Sequence, residues 1–184
     1  MHRHSLHVEP QSPLDIARHY VRELIYGAND GIITTFAVVA GVAGGGLPVR
    51  VVLIIGAANL FADGLSMAAG NYLSIRSHES VLETQQLPEE EAFPSRHAVA
   101  TFLAFVAAGS LPLIPYMIPA VAFERLALSI ALTFLAMFSV GASRALIANV
   151  RWWKAGLEML ALGAVVAALA YLSGALVAAI VERA

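Results

Sequence analysis

The sequence predicts an all-α membrane protein of five transmembrane helices, and three observations carry that reading. The 184-residue chain is 59% hydrophobic and only 13% charged, with mean hydropathy +0.74, whereas a soluble domain carries about 25% charged residues. Five stretches, roughly 24–46, 51–74, 98–119, 126–147 and 156–181, reach the 20 or so mostly apolar residues that a spanning helix needs. Polar or turn-forming residues separate all five.

The elements follow in order. Residues 1–20 form a polar tail with no apolar h-region, so no cleavable signal is expected and the first span targets the chain. Residues 21–184 form a single five-helix domain. Gly44, Gly45, Gly46 and Pro48 turn the chain between the first two spans. The longest polar connection, 76–96, holds Glu79, Glu83, Glu89, Glu90 and Glu91. Pro112, Pro115 and Pro119 kink or end the third span. Glu124 and Arg125 part the third and fourth spans, and Arg151 to Lys154 part the fourth and fifth. Trp152 and Trp153 there suit an interfacial aromatic belt.

Five crossings put the termini on opposite sides. Arg3, Arg18, Arg22, Arg76, Arg96, Arg144, Arg151 and Lys154 fall on the N-terminal side, against Arg50, Arg125 and Arg183 on the other. The positive-inside rule therefore predicts a cytoplasmic N-terminus. The net charge of −2 and the absence of a basic run give no sign of nucleic acid. Without cysteine there are neither disulfides nor thiolate metal sites.

Asp30 and Asp63 lie inside the apolar runs 24–47 and 51–75. An aspartate among lipid tails costs roughly 2.5–3.5 kcal/mol at a helix centre, and such residues normally mark an ion or proton route. The plainer alternative for Asp30 is that it sits near the helix end and reaches water; Asp63 is deeper. On the second span Asn59, Asp63, Met67 and Asn71 recur every four residues, a stripe about 120° wide, with Ser66 and Gly70 on the same side. Carboxylate, amide and thioether together suit a partly dehydrated transition metal. Equally, Asn59, Ser66 and Asn71 suit interhelical hydrogen bonding, and Met67 suits packing. Gly27 and Gly31, spaced by four, allow a neighbouring helix or subunit to approach. Asp30-Gly31 and Asp63-Gly64 echo one another in consecutive spans, slender evidence for a duplication.

Other charges are candidates of a weaker kind. Glu158 is an interfacial charge or a proton-relay member. Glu79 and Glu83, on a cytoplasmic extension of the second span beside His78, either capture cations or are simply solvated. His2, His4 and His7 belong to a disordered tail or bind metal loosely. Enzyme signatures are missing: there is no HExxH, GxSxG or P-loop. An intramembrane aspartyl protease would use two adjacent carboxylates, yet its usual Tyr-Asp and Gly-x-Gly-Asp contexts are absent.

The stretch from Tyr26 to Gly41 (YGANDGIITTFAVVAG) closely resembles the first span of the vacuolar iron transporter family. Ala58 to Leu73 (ANLFADGLSMAAGNYL), with Ser77 and Glu79 beyond, is similar to its second, and Gly109 to Tyr116 (GSLPLIPY) to its third. The resemblance implies a homodimer with the translocation path between subunits. It also implies export of Fe²⁺, in some members Mn²⁺, from the cytoplasm in exchange for protons, with no permanently bound cofactor. Asp30 and Met67 match positions implicated in metal passage, Asn59 aligns with an acidic position of some members, and Asp63 departs from plant members. Many members insert a Glu- and Met-rich cytoplasmic domain where this chain has only the 76–96 loop, so Glu89, Glu90 and Glu91 do not stand for its ligands. The alternative is a non-transporting membrane scaffold with degenerate site residues. The composition fits a prokaryotic cell membrane, with a vacuolar membrane as the alternative.

Overall fold

A computed structural model describes residues 5–7, 10–119, 124–146 and 150–183. Among them, α1 is Pro13–His19, α2 Val21–Gly44, α3 Val49–Thr84, α4 Pro94–Gly109, α5 Ile114–Met117, α6 Arg125–Ser143 and α7 Trp152–Val181. Five segments are long and apolar enough to cross a membrane: α2, α3, Pro94–Met117, α6 and α7. The protein is an integral multi-pass membrane protein.

The boundaries differ from the sequence expectation at several ends, each for a local reason. Helix α3 is not confined to the membrane. Its 36 residues reach about 54 Å, so 76–84 is helix and the connection to α4 shrinks to 85–93. Pro94, pre-set for a first helical turn, starts α4 four residues early. Trp152 and Trp153 open α7 rather than lying in a loop. The expected end of the fourth span at position 147 lies outside the described residues. Within the third span the α-helix stops at Gly109, passes through a 3₁₀ turn at Leu111–Leu113 and resumes in α5. Pro112 and Pro115 fit this break, since neither supplies a backbone N–H. Nor is the N-terminal segment wholly irregular. Ser12 caps α1 by accepting from the Asp15 amide at 3.1 Å, and Leu6 N donates to the Glu89 carbonyl at 2.7 Å.

Helix α2 is the most enclosed span, packed between α4 and α7. Glycines set the approach on both sides. A Cβ on Gly27 would come within 2.6 Å of the Thr101 carbonyl, and one on Gly31 would strike the Phe105 backbone. Gly109 returns the contact: a Cβ there would lie 2.7 Å from the Gly31 carbonyl oxygen. At the other end Gly41 and Gly44 cross Gly174 and Tyr171 of α7. The Gly27–Gly31 seam thus faces the third span of the same chain. Gly46, at φ +64°, makes the turn into α3.

Phe36, Val39, Val42, Val52, Leu113 and Tyr116 form a core where α2, α3 and the broken third span meet. In α3 the buried positions Val52, Gly56, Leu60, Gly64 and Ala68 recur every fourth residue. Elsewhere apolar side chains point outward, with Leu162, Leu169, Leu172 and Leu176 of α7 all exposed, as a lipid-facing surface requires. The irregular turn is tied down by Ser129, a fully buried hydroxyl that donates to the Pro112 carbonyl at 2.7 Å. Ser129→Ala is expected to destabilise the bundle by about 0.5–1.5 kcal/mol, read as a lower melting midpoint in detergent.

Candidate functional site

Asp30 lies 14 residues before Gly44, and Asp63 lies 14 residues after Val49. In an antiparallel hairpin these equal offsets place the two carboxylates at the same depth, about 21 Å of helix from the turn. Both are half-buried. The glycine after each aspartate explains the echo between the spans. Gly31 receives the Phe105 backbone, and Gly64 receives the Phe105 and Phe102 rings. Phe105 wedges between α2 and α3, and each Asp-Gly pair puts its glycine under the wedge.

The polar stripe of α3 runs along the border of that helix's packed face. Asn59, Asp63, Met67 and Asn71 are each half-buried and each directly precede a buried or partly buried neighbour. Asn71 makes an interhelical hydrogen bond, its amide donating to Thr101 Oγ1 at 2.9 Å, while Thr101 donates to the His97 carbonyl at 2.9 Å. Asn59 does not: its amide nitrogen is buried without a partner, as is the Asn29 side-chain oxygen. Ser66 is exposed. Met67 lines a groove of about 580 Å³ between α2, α3 and α4, together with Glu23, Tyr26, Asn71, Ser74 and Thr101.

Glu23 and His97 are the residues that the sequence reading passes over. Glu23 is 3% exposed and His97 4%, in the first turns of α2 and α4. The Arg22 guanidinium donates to Glu23 Oε1 at 2.9 Å, and His97 Nδ1 lies 3.3 Å from the same oxygen. On its other side His97 Nε2 is 3.0 Å from Glu91 Oε2. Helical spacing holds the signal. Glu23, Gly27 and Gly31 fall every four residues on the face that α4 covers, and His97, Thr101 and Phe105 do the same on α4. Facing glycines therefore imply facing partners one turn earlier.

The remaining candidates are placed as follows. Glu158, on α7, is exposed and pairs with Arg144 at 3.7 Å. Glu79 holds the 85–93 connection in shape, its Oε1 accepting from the Glu90 and Glu91 amides at 3.0 and 2.8 Å. Glu83 is exposed at the end of α3, and His78 pairs with Glu90 at 3.1 Å. His7 is docked rather than loose, with Nδ1 3.1 Å from Glu91 Oε1; His2 and His4 lie outside the described residues.

Five spans, two of them carrying level carboxylates, and a groove lined by Met67 define a multi-pass membrane protein. A sequence profile of the VIT family matches residues 21–93 and 79–175. The chain belongs to that family. It is 41% identical over 71 residues to a vacuolar iron transporter of Toxoplasma gondii, covering 39% of this chain and 24% of that protein. Vacuolar iron transporter homolog 4 of Arabidopsis thaliana is 31% identical over 104 residues, 52% of each chain. The chain thus spans only about a quarter to a half of these two relatives. Vacuolar iron transporter 1 of Arabidopsis thaliana is 24% identical over 233 residues, covering 92% of this chain and 93% of the relative. That alignment is longer than the 184-residue chain, so the relative carries additional residues. The two profile segments meet at 79–93, around the end of α3 and the connection to α4.

Proposed function

We propose that the protein transports a divalent transition metal, Fe²⁺ and in second place Mn²⁺, out of the cytoplasm, with protons moving the other way. The observation that carries this reading is the matched depth of Asp30 and Asp63 beside Met67. Two carboxylates retained inside lipid imply a cation to offset their cost, and the thioether selects a transition metal over Mg²⁺ or Ca²⁺. The relatives' names, vacuolar iron transporter, agree with that ligand chemistry. Asn59, with its unpartnered amide, is a further contact on the route, whereas Asn71 serves as interhelical glue. Proton exchange at Asp30 or Asp63 would expel the ion on one side and reset the site on the other.

The excess of Arg and Lys on the N-terminal side supports a cytoplasmic N-terminus. For a homodimer, the support is an exposed run of small residues on α3, Ala58, Ala62, Ser66 and Gly70, a spacing that lets membrane helices meet closely. The seam would then run beside the polar stripe. Anaerobic Fe²⁺ flux into proteoliposomes, with and without an imposed pH gradient, tests the reading. Gradient-dependent flux is expected. A folded protein passing neither Fe²⁺ nor Mn²⁺ under any gradient leaves the scaffold alternative standing.

A further inference from the structure

We propose that His7, His19 and Glu91 form a second binding site, for a divalent first-row transition metal, at the N-terminal-side surface of the bundle. The three residues come from separate stretches of chain: the N-terminal segment, the end of α1 and the connection between α3 and α4. One ligand atom from each lies within 4.8 Å of the others. Metal–ligand bonds of about 2.0–2.2 Å hold neighbouring ligand atoms about 3–4 Å apart, so closing around an ion asks the widest pair to contract by about 1–2 Å. Two imidazoles and one carboxylate are a donor set for Fe²⁺, Mn²⁺, Co²⁺ or Zn²⁺ and a poor one for Mg²⁺ or Ca²⁺.

Three features distinguish this cluster from a chance surface ion pair. First, its backbone is fixed in advance. Leu6 N donates to the Glu89 carbonyl at 2.7 Å, and the Glu91 amide donates to Glu79 at 2.8 Å. Second, the Glu91 carboxylate is crowded by three imidazoles, at 3.1 Å from His7, 3.7 Å from His19 and 3.0 Å from His97. Despite those distances, His19 Nε2, Glu91 Oε1 and both His97 nitrogens are buried without an aligned hydrogen bond. Buried polar atoms left so are costly, and an ion between His7, His19 and Glu91 would give His19 and Glu91 the missing partner. Third, the carboxylate has an outer support of the kind that orients metal ligands. The buried His97 sits between Glu91 and Glu23.

The site is distinct from the intramembrane carboxylates and stands whether or not the chain moves ions. Of its residues, Glu91 also lines a cavity of about 480 Å³ together with His97, His78 and Ser74. That cavity shares Arg22 and Ser74 with the groove holding Met67.

The test is anaerobic titration of the full chain in detergent, with any polyhistidine tag removed, using Co²⁺ as the probe and its visible d–d absorption as the readout. Expected is a saturable band set that survives in Asp30→Asn/Met67→Leu. In His7→Ala/His19→Ala, and separately in the nearly isosteric Glu91→Gln, the apparent Kd is expected to weaken at least tenfold, the lower end of what ligand-shell changes produce. All these positions except Asp30 and Met67 lie outside the apolar spans, and an unchanged elution volume in size exclusion verifies folding. The proposal is overturned if the wild-type chain gives no Co²⁺ band. It is equally overturned if both ligand variants titrate like wild type, or if the bands vanish only in Asp30→Asn/Met67→Leu. Loss of flux in Asp30→Asn with the Co²⁺ bands intact bears on transport alone.

Discussion

Asp30→Asn is expected to abolish gradient-driven Fe²⁺ flux while leaving the bundle assembled. The substitution keeps shape and removes only the charge. A charged contact worth about 3 kcal/mol corresponds to roughly a hundredfold in ion affinity, and the exchangeable proton goes with it. Asparagine is cheaper to hold in lipid than aspartate, so the variant's melting midpoint is expected to hold or rise. Asp63→Asn should act in the same direction, because the two residues lie level in the hairpin. Proteoliposome flux, paired with a melt of the same preparation, separates loss of passage from loss of fold. Wild-type flux in both variants would remove the carboxylates from the route.

Gly31→Val and Gly109→Val are expected to prevent assembly of the helical bundle. The two glycines face one another where α2 and α4 cross. Backbone atoms, rather than flexible side-chain ends, occupy the space that a Cβ on Gly31 would need. Overpacking a core costs about 1–3 kcal/mol when side chains give way, and here a whole helix would have to move. Ala161→Val, on the exposed face of α7, is the matched control. Monodisperse elution in detergent should be lost in the first two variants and kept in the third. A Gly31→Val protein that elutes and melts like wild type would contradict the α2–α4 crossing.

The five spans were legible because lipid imposes a length and a polarity that no local contact overrides. The aspartates stood out for the same reason. Their level placement was also available from counting outward from the Gly44–Pro48 turn. What did not show was whatever depends on which faces meet. Glu23 sits at the edge of an apolar run and looks like an ordinary interfacial charge until Gly27 and Gly31 are seen to face α4. His7 in a polar tail carries no periodic signal at all; its partner Glu91 lies 84 residues away in sequence, joined through loop geometry. Glu79 looked like a solvated acid because composition does not reveal that two backbone amides will point at it. Asn71 and Asn59 have the same residue type and share a stripe, yet only Asn71 meets a partner, since Thr101 happens to face it.

Helix α3 runs without a break from the turn at Val49 to Thr84, whereas the third span is jointed after Gly109. The bundle therefore contains one shaft and one joint, side by side. A shaft carries torque: any roll of α3 that turns Asp63 from one facing direction to another also swings Glu79 and His78, about 24 Å further along the axis. Because Glu79 grips the amides of Glu90 and Glu91, that swing pulls on the connection which leads into α4. The half of the third span beyond the joint is free of this drive. In mechanical terms, the length of α3 makes the 85–93 connection and the intramembrane aspartate two ends of one lever.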